Sequence, residues 1–335
     1  MTGTHSGPLA VSVIGLGMAA EPHALALRDL VERVRVVHAA TRSVGRGQAF
    51  AARHGFPVTA DIDAAITDPV VDAVIVLTPP NTHAVIAEAA LHAGKHVLIE
   101  KPLDASLPAA EGIVATAGRL GLRAGVVLQH RFRPAAQRLR AMIDDGALGA
   151  IQAAHLHVAW WRPQSYYDEP GRGTLARDGG GVLMTQAIHA IDLMRSLVGP
   201  MTVAHAMART TALHRMEVED HVVALLRLPN GAPASIVATT AAAPGFPETL
   251  DLIGTRATAR LTAGQLDVAY VDGRREQVVA DTRSGAGAGP MDFTHDAHRA
   301  LIADFADAIR DDRSPLCSAH DALETQRLIA AMLAG

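Results

Sequence analysis

Hydrophobic positions follow two different rules along this chain, and the rule changes near residue 128. Up to that point continuous apolar runs alternate with Ala- and Leu-rich stretches. Leu9–Ile14, Val34–Ala40, Val70–Leu77, Lys95–Ile99 and Arg123–Leu128 read as strands apolar on both faces. Between them, the stretch after Gly15–Ala20 ending near Leu30, Ala84–Ala93 stopped by Gly94, and Leu107–Leu120 read as helices. Strands of that kind alternating with helices predict a parallel, doubly wound sheet. Beyond residue 128 the runs are short or alternating: Ile151–Trp160, Thr202–Thr210, His221–Leu228, Ala234–Thr240, Thr249–Ile253, Ala257–Leu261 and Leu266–Tyr270. Turn residues separate them, and Asn230-Gly231 and Asp272-Gly273 suit hairpins. The second half is therefore expected to be a mostly antiparallel sheet. A helix over Gly181–Leu197 packs on one side, and helices Asp292–Arg310 and Ala319–Leu333 finish the chain.

At 335 residues the chain exceeds what one core usually supports, roughly 250–300 residues, so two domains are expected. The pattern puts them at 1–128, a dinucleotide-binding Rossmann domain, and 129–335, a substrate and oligomerisation domain. The fold class is α/β plus α+β. With 49% hydrophobic and 19% charged residues and a formal net charge of −4, there is no electrostatic case for a nucleic-acid partner. Cys317 is the single cysteine, which excludes an internal disulfide and fits a reducing compartment. Met1–Pro8 reads as a mobile tail without a leader pattern, and no apolar segment has the length of a membrane span. A cytoplasmic protein is expected.

The chemistry concentrates at a few places. Gly15-x-Gly17-x-x-Ala20, with Met18 and Ala19 inside it, follows a strand and opens a helix, as a pyrophosphate-binding turn does. The second strand ends in Ala40-Thr41-Arg42-Ser43, with Arg46 beyond, and has no acid to bond ribose hydroxyls. Thr41, Ser43, Arg42 and Arg46 suit a 2′-phosphate, which favours NADP(H) with NAD(H) possible; alternatively both arginines are solvated loop and helix residues. Glu100-Lys101-Pro102 ends the Lys95–Ile99 strand, where open α/β sheets bind ligands.

Together with the run Gly179-Gly180-Gly181-Val182-Leu183-Met184-Thr185-Gln186-Ala187-Ile188-His189-Ala190-Ile191-Asp192, these motifs resemble the glucose-fructose oxidoreductase/inositol dehydrogenase/MocA (Gfo/Idh/MocA) family. The resemblance spans nearly the whole chain. It implies that Thr78, Pro79, Asn81 and His83 line the nicotinamide side of the cofactor site. It also implies that Lys101 meets substrate and cofactor, that Glu100 positions its neighbours, and that a homodimer or homotetramer forms through the C-terminal sheet. A cis bond before Pro102 would aim the lysine. Many relatives have an acid where this chain has Thr185, four before His189. Threonine cannot be an anionic partner, so Lys101 with His189 is the expected catalytic pair, and Gln186 resembles residues of some sugar dehydrogenases.

Imidazole titrates near neutrality, which suits His189 to the proton step of alcohol oxidation; Lys101 would hold the oxygen or serve as base. No metal is required. The loop Trp160–Gly173 holds most of the Trp and Tyr residues, and Trp161, Arg162 and Tyr166 are candidates to contact a sugar, with Arg131 from Gln129–Pro134. The same loop suits an oligomer contact or a lid packed on itself. Asp192 either orients His189 or caps local structure, and His295 and His298 read as surface or packing residues. The expected function is hydride transfer between nicotinamide and a secondary alcohol or ketone of a sugar, cyclitol or related polyol. The alternatives are an acidic cyclic diol or hemiacetal, favoured by Arg131, Arg162, Arg172 and Arg177, and a dinucleotide sensor without turnover.

Overall fold

The computed structural model describes residues 7–279, 286–287 and 293–335. The expected tail is described only for Gly7 and Pro8, and residue 292, the expected start of a helix, lies outside the described residues. The chain forms two compact units: 1–127 with 295–323, and 128–294 with 324–335.

In the first unit six parallel strands form one sheet. They are β1 (Leu9–Ile14), β2 (Val34–Ala40), β3 (Val58–Thr59), β4 (Ala73–Val76), β5 (His96–Ile99) and β6 (Ala124–Val126). Their order is β3-β2-β1-β4-β5-β6. Every residue of β1 and β4 is buried, as their unbroken apolar sequences require of strands covered on both faces. The crossovers are helices α1 (Ala20–Asp29), α2 (Val44–His54), α3 (Ile62–Thr67), α4 (His83–His92) and α5 (Leu107–Leu120). Gly55, Gly94 and Gly121 supply positive φ where three of these helices end.

In the second unit a 310 turn over Gln129–Phe132 leads into α6 (Pro134–Asp144). The sheet strands are β7 (Ile151–Ala159), β8 (Thr202–Arg209), β9 (His221–Arg227), β10 (Pro233–Thr239), β11 (Thr249–Gly254), β12 (Ala257–Thr262), β13 (Gln265–Tyr270) and β14 (Arg275–Val278). All neighbours are antiparallel except β7 and β10. Short helices α7 (Gln164–Tyr167) and α8 (Leu175–Asp178) lie in the aromatic loop, and α9 (Ile188–Val198) packs with α6 on one face of the sheet. Both expected hairpin turns join antiparallel neighbours, β9 to β10 and β13 to β14. Strict alternation in β9 puts Val222, Ala224 and Leu226 inward and Val223 and Leu225 outward.

The last two helices are α10 (Asp296–Arg310) and α11 (Ala319–Leu333). The sequence pattern assigns both to the second domain, but residues 295–323 pack in the first unit, with α10 on α1. Buried Leu301, Ile302 and Phe305 supply the apolar face, and His295 and Arg299 reach Asp29 at 2.8 and 3.2 Å. Burying a side chain of that size stabilises by roughly 1.5–3 kcal/mol, so the apolar stripe of α10 fixes where it docks.

Candidate active site

In the first unit three loops leave the carboxyl ends of the neighbouring strands β1, β4 and β5: the Gly15 turn, Thr78-Pro79 and Glu100-Lys101. The strand order reverses between β1 and β4, and crevices at such points bind ligands in open α/β sheets. Gly15 has φ +101°, and a Cβ there would lie 2.8 Å from the Leu77 carbonyl carbon and 2.9 Å from Thr78 Cγ2. Glycine is therefore imposed by the fold at this position. At Gly17 a Cβ would meet nothing within 4 Å, so the room it leaves is open space beside the start of α1. No side chain caps that helix, and Met18 is exposed. A bare glycine and an uncapped N-terminus fit the pyrophosphate of a dinucleotide, whose charge the helix end favours.

Thr41 is buried at the end of β2, and Arg42, Ser43 and Arg46 are exposed. Ser43 caps α2 by accepting from the Arg46 amide at 3.4 Å, and its own amide donates to Thr41 Oγ1 at 3.4 Å. These residues form one small hydroxyl and guanidinium group without a carboxylate. On the next loop Thr82 Oγ1 lies 2.7 Å from Thr78 Oγ1 and 2.8 Å from the Pro79 carbonyl oxygen, and Asn81 is exposed. His83 stands apart from this group. It is fully buried, with Nδ1 2.9 Å from the Pro102 carbonyl oxygen and Nε2 2.7 Å from that of Thr78. Burial pushes its pKa down, although both carbonyls oppose this. Its buried ring ties the Thr78 and Pro102 main chains together.

The Lys101–Pro102 peptide is cis. Glu100 Oε1 accepts from His23 Nε2 at 2.8 Å and Oε2 accepts from the Lys101 amide at 3.1 Å. Burial alone would raise the pKa of this carboxyl, but the His23 bond and the charges of His23, Lys101 and His298 hold it at about 2. The His298 ring meets that of His23 edge-on, with centroids 5.2 Å apart. His298, expected at the surface or in packing, is thus buried beside a carboxylate. Ring nitrogens of both histidines and a Glu100 oxygen lie within 4.8 Å of one another, a set that could hold a metal ion. Lys95 and Lys101 are the only lysines of the chain, against 30 basic residues in all. Lys95 is buried on the Asp68 and Val71 carbonyls at 2.8 and 2.7 Å. A chain that otherwise uses arginine for its cations keeps an amine at Lys101, a compact charge whose pKa can be tuned.

In the second unit, Leu183–Ala187 forms a wide π turn that runs into α9. It replaces the regular helix expected to align Thr185 with His189, and π turns frequently mark functional sites. A Cβ on Gly181 would lie 1.8 Å from the Glu219 carbonyl oxygen. The Glu219 carboxylate accepts from the amides of Gly181 and Leu183 at 2.9 and 3.2 Å, and burial pushes its pKa up. Glu219 caps this helix end, and glycine at 181 lets it approach. Thr185 Oγ1 reaches the Gly181 carbonyl at 2.7 Å and Gln186 Oε1. Gln186 Nε2 donates to Tyr166 Oη at 3.4 Å. Thr185, Gln186 and Tyr166 therefore come together. His189 is 8% exposed and stacks on His130 at 5.0 Å, a partner the sequence showed only as the neighbour of Arg131.

Two expected substrate contacts are committed elsewhere. Arg131 donates to both Asp192 oxygens at 2.6 and 2.5 Å, and Asp192 also accepts from Thr325. Asp192 anchors α9 in this way. Arg162 is buried on the carbonyls of Trp161 and Gly287 at 2.8 and 2.6 Å, and burial lowers its pKa. Arg172 lies over the Tyr166 ring at 4.1 Å, and both it and Arg177 pair with Glu169. Tyr167 turns inward to Thr240 at 2.7 Å, and Trp161 and Tyr166 stay half-buried. The aromatic loop is in part packed on itself.

Residues 9–128 match the sequence model of the oxidoreductase family, NAD-binding Rossmann fold, and residues 136–260 match that of the GFO/IDH/MocA C-terminal domain. The chain belongs to the Gfo/Idh/MocA family of oxidoreductases. Inositol 2-dehydrogenase 1 of Saccharopolyspora erythraea is 29% identical over 82% of this chain and 80% of that protein. A 1-carboxy-3-chloro-3,4-dihydroxycyclohexa-1,5-diene dehydrogenase of Comamonas testosteroni is 34% identical over 54% of this chain, but the match spans only 46% of that protein. Among solved structures, levoglucosan dehydrogenase in complex with NADH and levoglucosan superposes with a TM-score of 0.84 at 25% identity, covering 98% of each chain. These Gfo/Idh/MocA likenesses agree with the glycine turn and the strand order. No helix among the described residues is long and apolar enough to cross a membrane.

Proposed function

We propose that this protein is a dehydrogenase that moves hydride between a nicotinamide and a secondary carbon of a sugar, cyclitol or related polyol. The observation that carries the reading is the convergence of the Gly15 turn, Thr78-Pro79 and Lys101 on adjacent strand ends. NAD(P) bound there would supply the hydride acceptor or donor. Gly15, Gly17, Met18 and Ala19 hold the pyrophosphate, and Thr78, Pro79 and Asn81 border the nicotinamide. Lys101 holds the reacting oxygen with its ammonium group, and His189 takes or returns the hydroxyl proton. Thr185, Gln186, Tyr166 and Trp161 offer hydroxyl, amide and aromatic contacts of the kind a neutral ring with several hydroxyls needs. The inositol and levoglucosan dehydrogenases among the relatives support that substrate class. The acidic-diol reading relied on four arginines, and each of them is already held by a carboxylate or by main-chain carbonyls.

Thr41, Arg42, Ser43 and Arg46 support NADP(H) over NAD(H), whose use is the alternative. The test is titration of the protein with NADPH and NADH by fluorescence, then a panel of inositols, anhydrosugars and cyclic diols followed at the nicotinamide absorbance. Turnover of one polyol class supports the assignment. Cofactor binding without turnover across the panel supports a sensor, and equal weakening of NADPH and NADH by Arg42→Ala with Arg46→Ala refutes the cofactor preference.

A further inference from the structure

Glu100 is bound through both oxygens of its carboxylate, and one of the two contacts is to Lys101. One oxygen accepts from the amide of Lys101 itself, and the other from His23 Nε2. His23 is fully buried on α1, the helix that opens at the glycine turn, and its Nδ1 has no hydrogen-bond partner among the described residues. An ionised carboxylate only accepts, so the His23 proton sits on Nε2 and points at Glu100. His298, from α10, closes the third side with its ring edge-on to His23. Three segments far apart in sequence thus meet behind one lysine, in a place where an unsupported charge would be costly.

We infer that His23 and His298 are positioning residues for Lys101, acting through Glu100. His23 fixes the carboxylate by a hydrogen bond, His298 packs edge-on against the ring of His23, and Glu100 fixes the main chain at Lys101 and lies within the electrostatic reach of its charge. The device joins the helix that meets the pyrophosphate to the lysine that meets the substrate. It also gives the return of α10 to the first unit a purpose beyond packing. The inference rests on the proposed role of Lys101 and extends it.

Because Lys101 has only the buried Lys95 as a companion lysine, an amine reagent reads it almost alone. The experiment treats the full chain, with NADH bound, with acetic anhydride across a pH series and measures acetylation of the Lys101 peptide by mass spectrometry. An opposite charge close by shifts a pKa by about 1–3 units, so Glu100→Gln is expected to lower the half-modification pH by about 1 unit. His23→Ala and His298→Ala shift it by less, and His23→Gln, which restores an N–H donor, returns it toward wild type. With a polyol that turns over, His23→Ala lowers kcat about 10-fold, within the range such positioning losses produce, and leaves NADH affinity within a few-fold.

An unchanged Lys101 profile in His23→Ala, with only a lower Tm, would make the cluster structural and overturn the inference. Stoichiometric Co²⁺ binding to the wild type that is lost in His298→Ala would overturn it too, making the cluster a metal site. Lys101→Met separates this inference from the reading beneath it. If Lys101→Met is inactive and the His23→Ala profile is unchanged, the positioning role alone fails; wild-type turnover in Lys101→Met removes the catalytic reading and the inference with it.

Discussion

The sequence offers His189 for the proton step and Arg131 as a sugar contact, and their surroundings in the structure differ. His189 stacks on His130 in a helix that begins with a wide turn, whereas Nε and Nη2 of Arg131 both donate to Asp192. His189→Ala is expected to lower kcat by ~10²–10⁴, the usual worth of general acid–base catalysis, and to leave Tm near wild type. Arg131→Ala leaves Asp192 charged and fully buried without its main partner, which typically costs about 3–5 kcal/mol. Urea unfolding checks this, and a stable variant with a raised KM would return Arg131 to the substrate. Lys101 and His189 can be proposed from the sequence because each lies in a contiguous motif. The His23–Glu100–His298 group cannot, because its members come from α1, the end of β5 and α10, and no spacing rule links them.

Strands of the first unit such as β1 and β4 were readable because burial on both faces leaves unbroken apolar runs. Short or weakly patterned elements were not: β3 has two residues, and α2 carries Gly45 and Gly47 in its first turn. The π turn over Leu183–Ala187 was equally hidden, since Leu, Met and Ala suit an α-helix as well. What selects it lies elsewhere, in Glu219, whose main chain and carboxylate occupy the space over Gly181. Glu219→Ala would leave two buried amides without an acceptor, a loss of roughly 2–6 kcal/mol at ~1–3 kcal/mol for each such group. The effect on activity should exceed that of an equally destabilising change elsewhere, because Thr185, Gln186 and His189 all hang from this turn. Thermal unfolding together with kcat measures both, and a destabilised but fully active variant would show that the turn does not position the site.

At the scale of the whole molecule, the pattern of apolar residues predicted two sheets but not the path of the C-terminus, because an amphipathic helix does not record which core its stripe meets. A sheet face can be read more directly. The β7–β10–β9–β8 side of the second sheet carries the outward row His157, Val237, Val223 and Met207, paired strand by strand, with Leu225 exposed beside it. Val223, Leu225 and Met207 are 39%, 55% and 68% exposed on an otherwise alternating surface. Contiguous exposed apolar area of this kind marks an interaction surface, and a second copy of the same face would cover it. A homodimer or homotetramer through this sheet is therefore expected in solution. Val223→Lys with Leu225→Lys places two like charges on each side of such an isologous contact, so light scattering should show dissociation to monomers. Because the substitutions lie outside the glycine turn and the Lys101 loop, NADH affinity should stay within a few-fold of wild type. A wild type that is monomeric at high micromolar concentration, or a double variant that keeps its subunit number, would place the interface elsewhere.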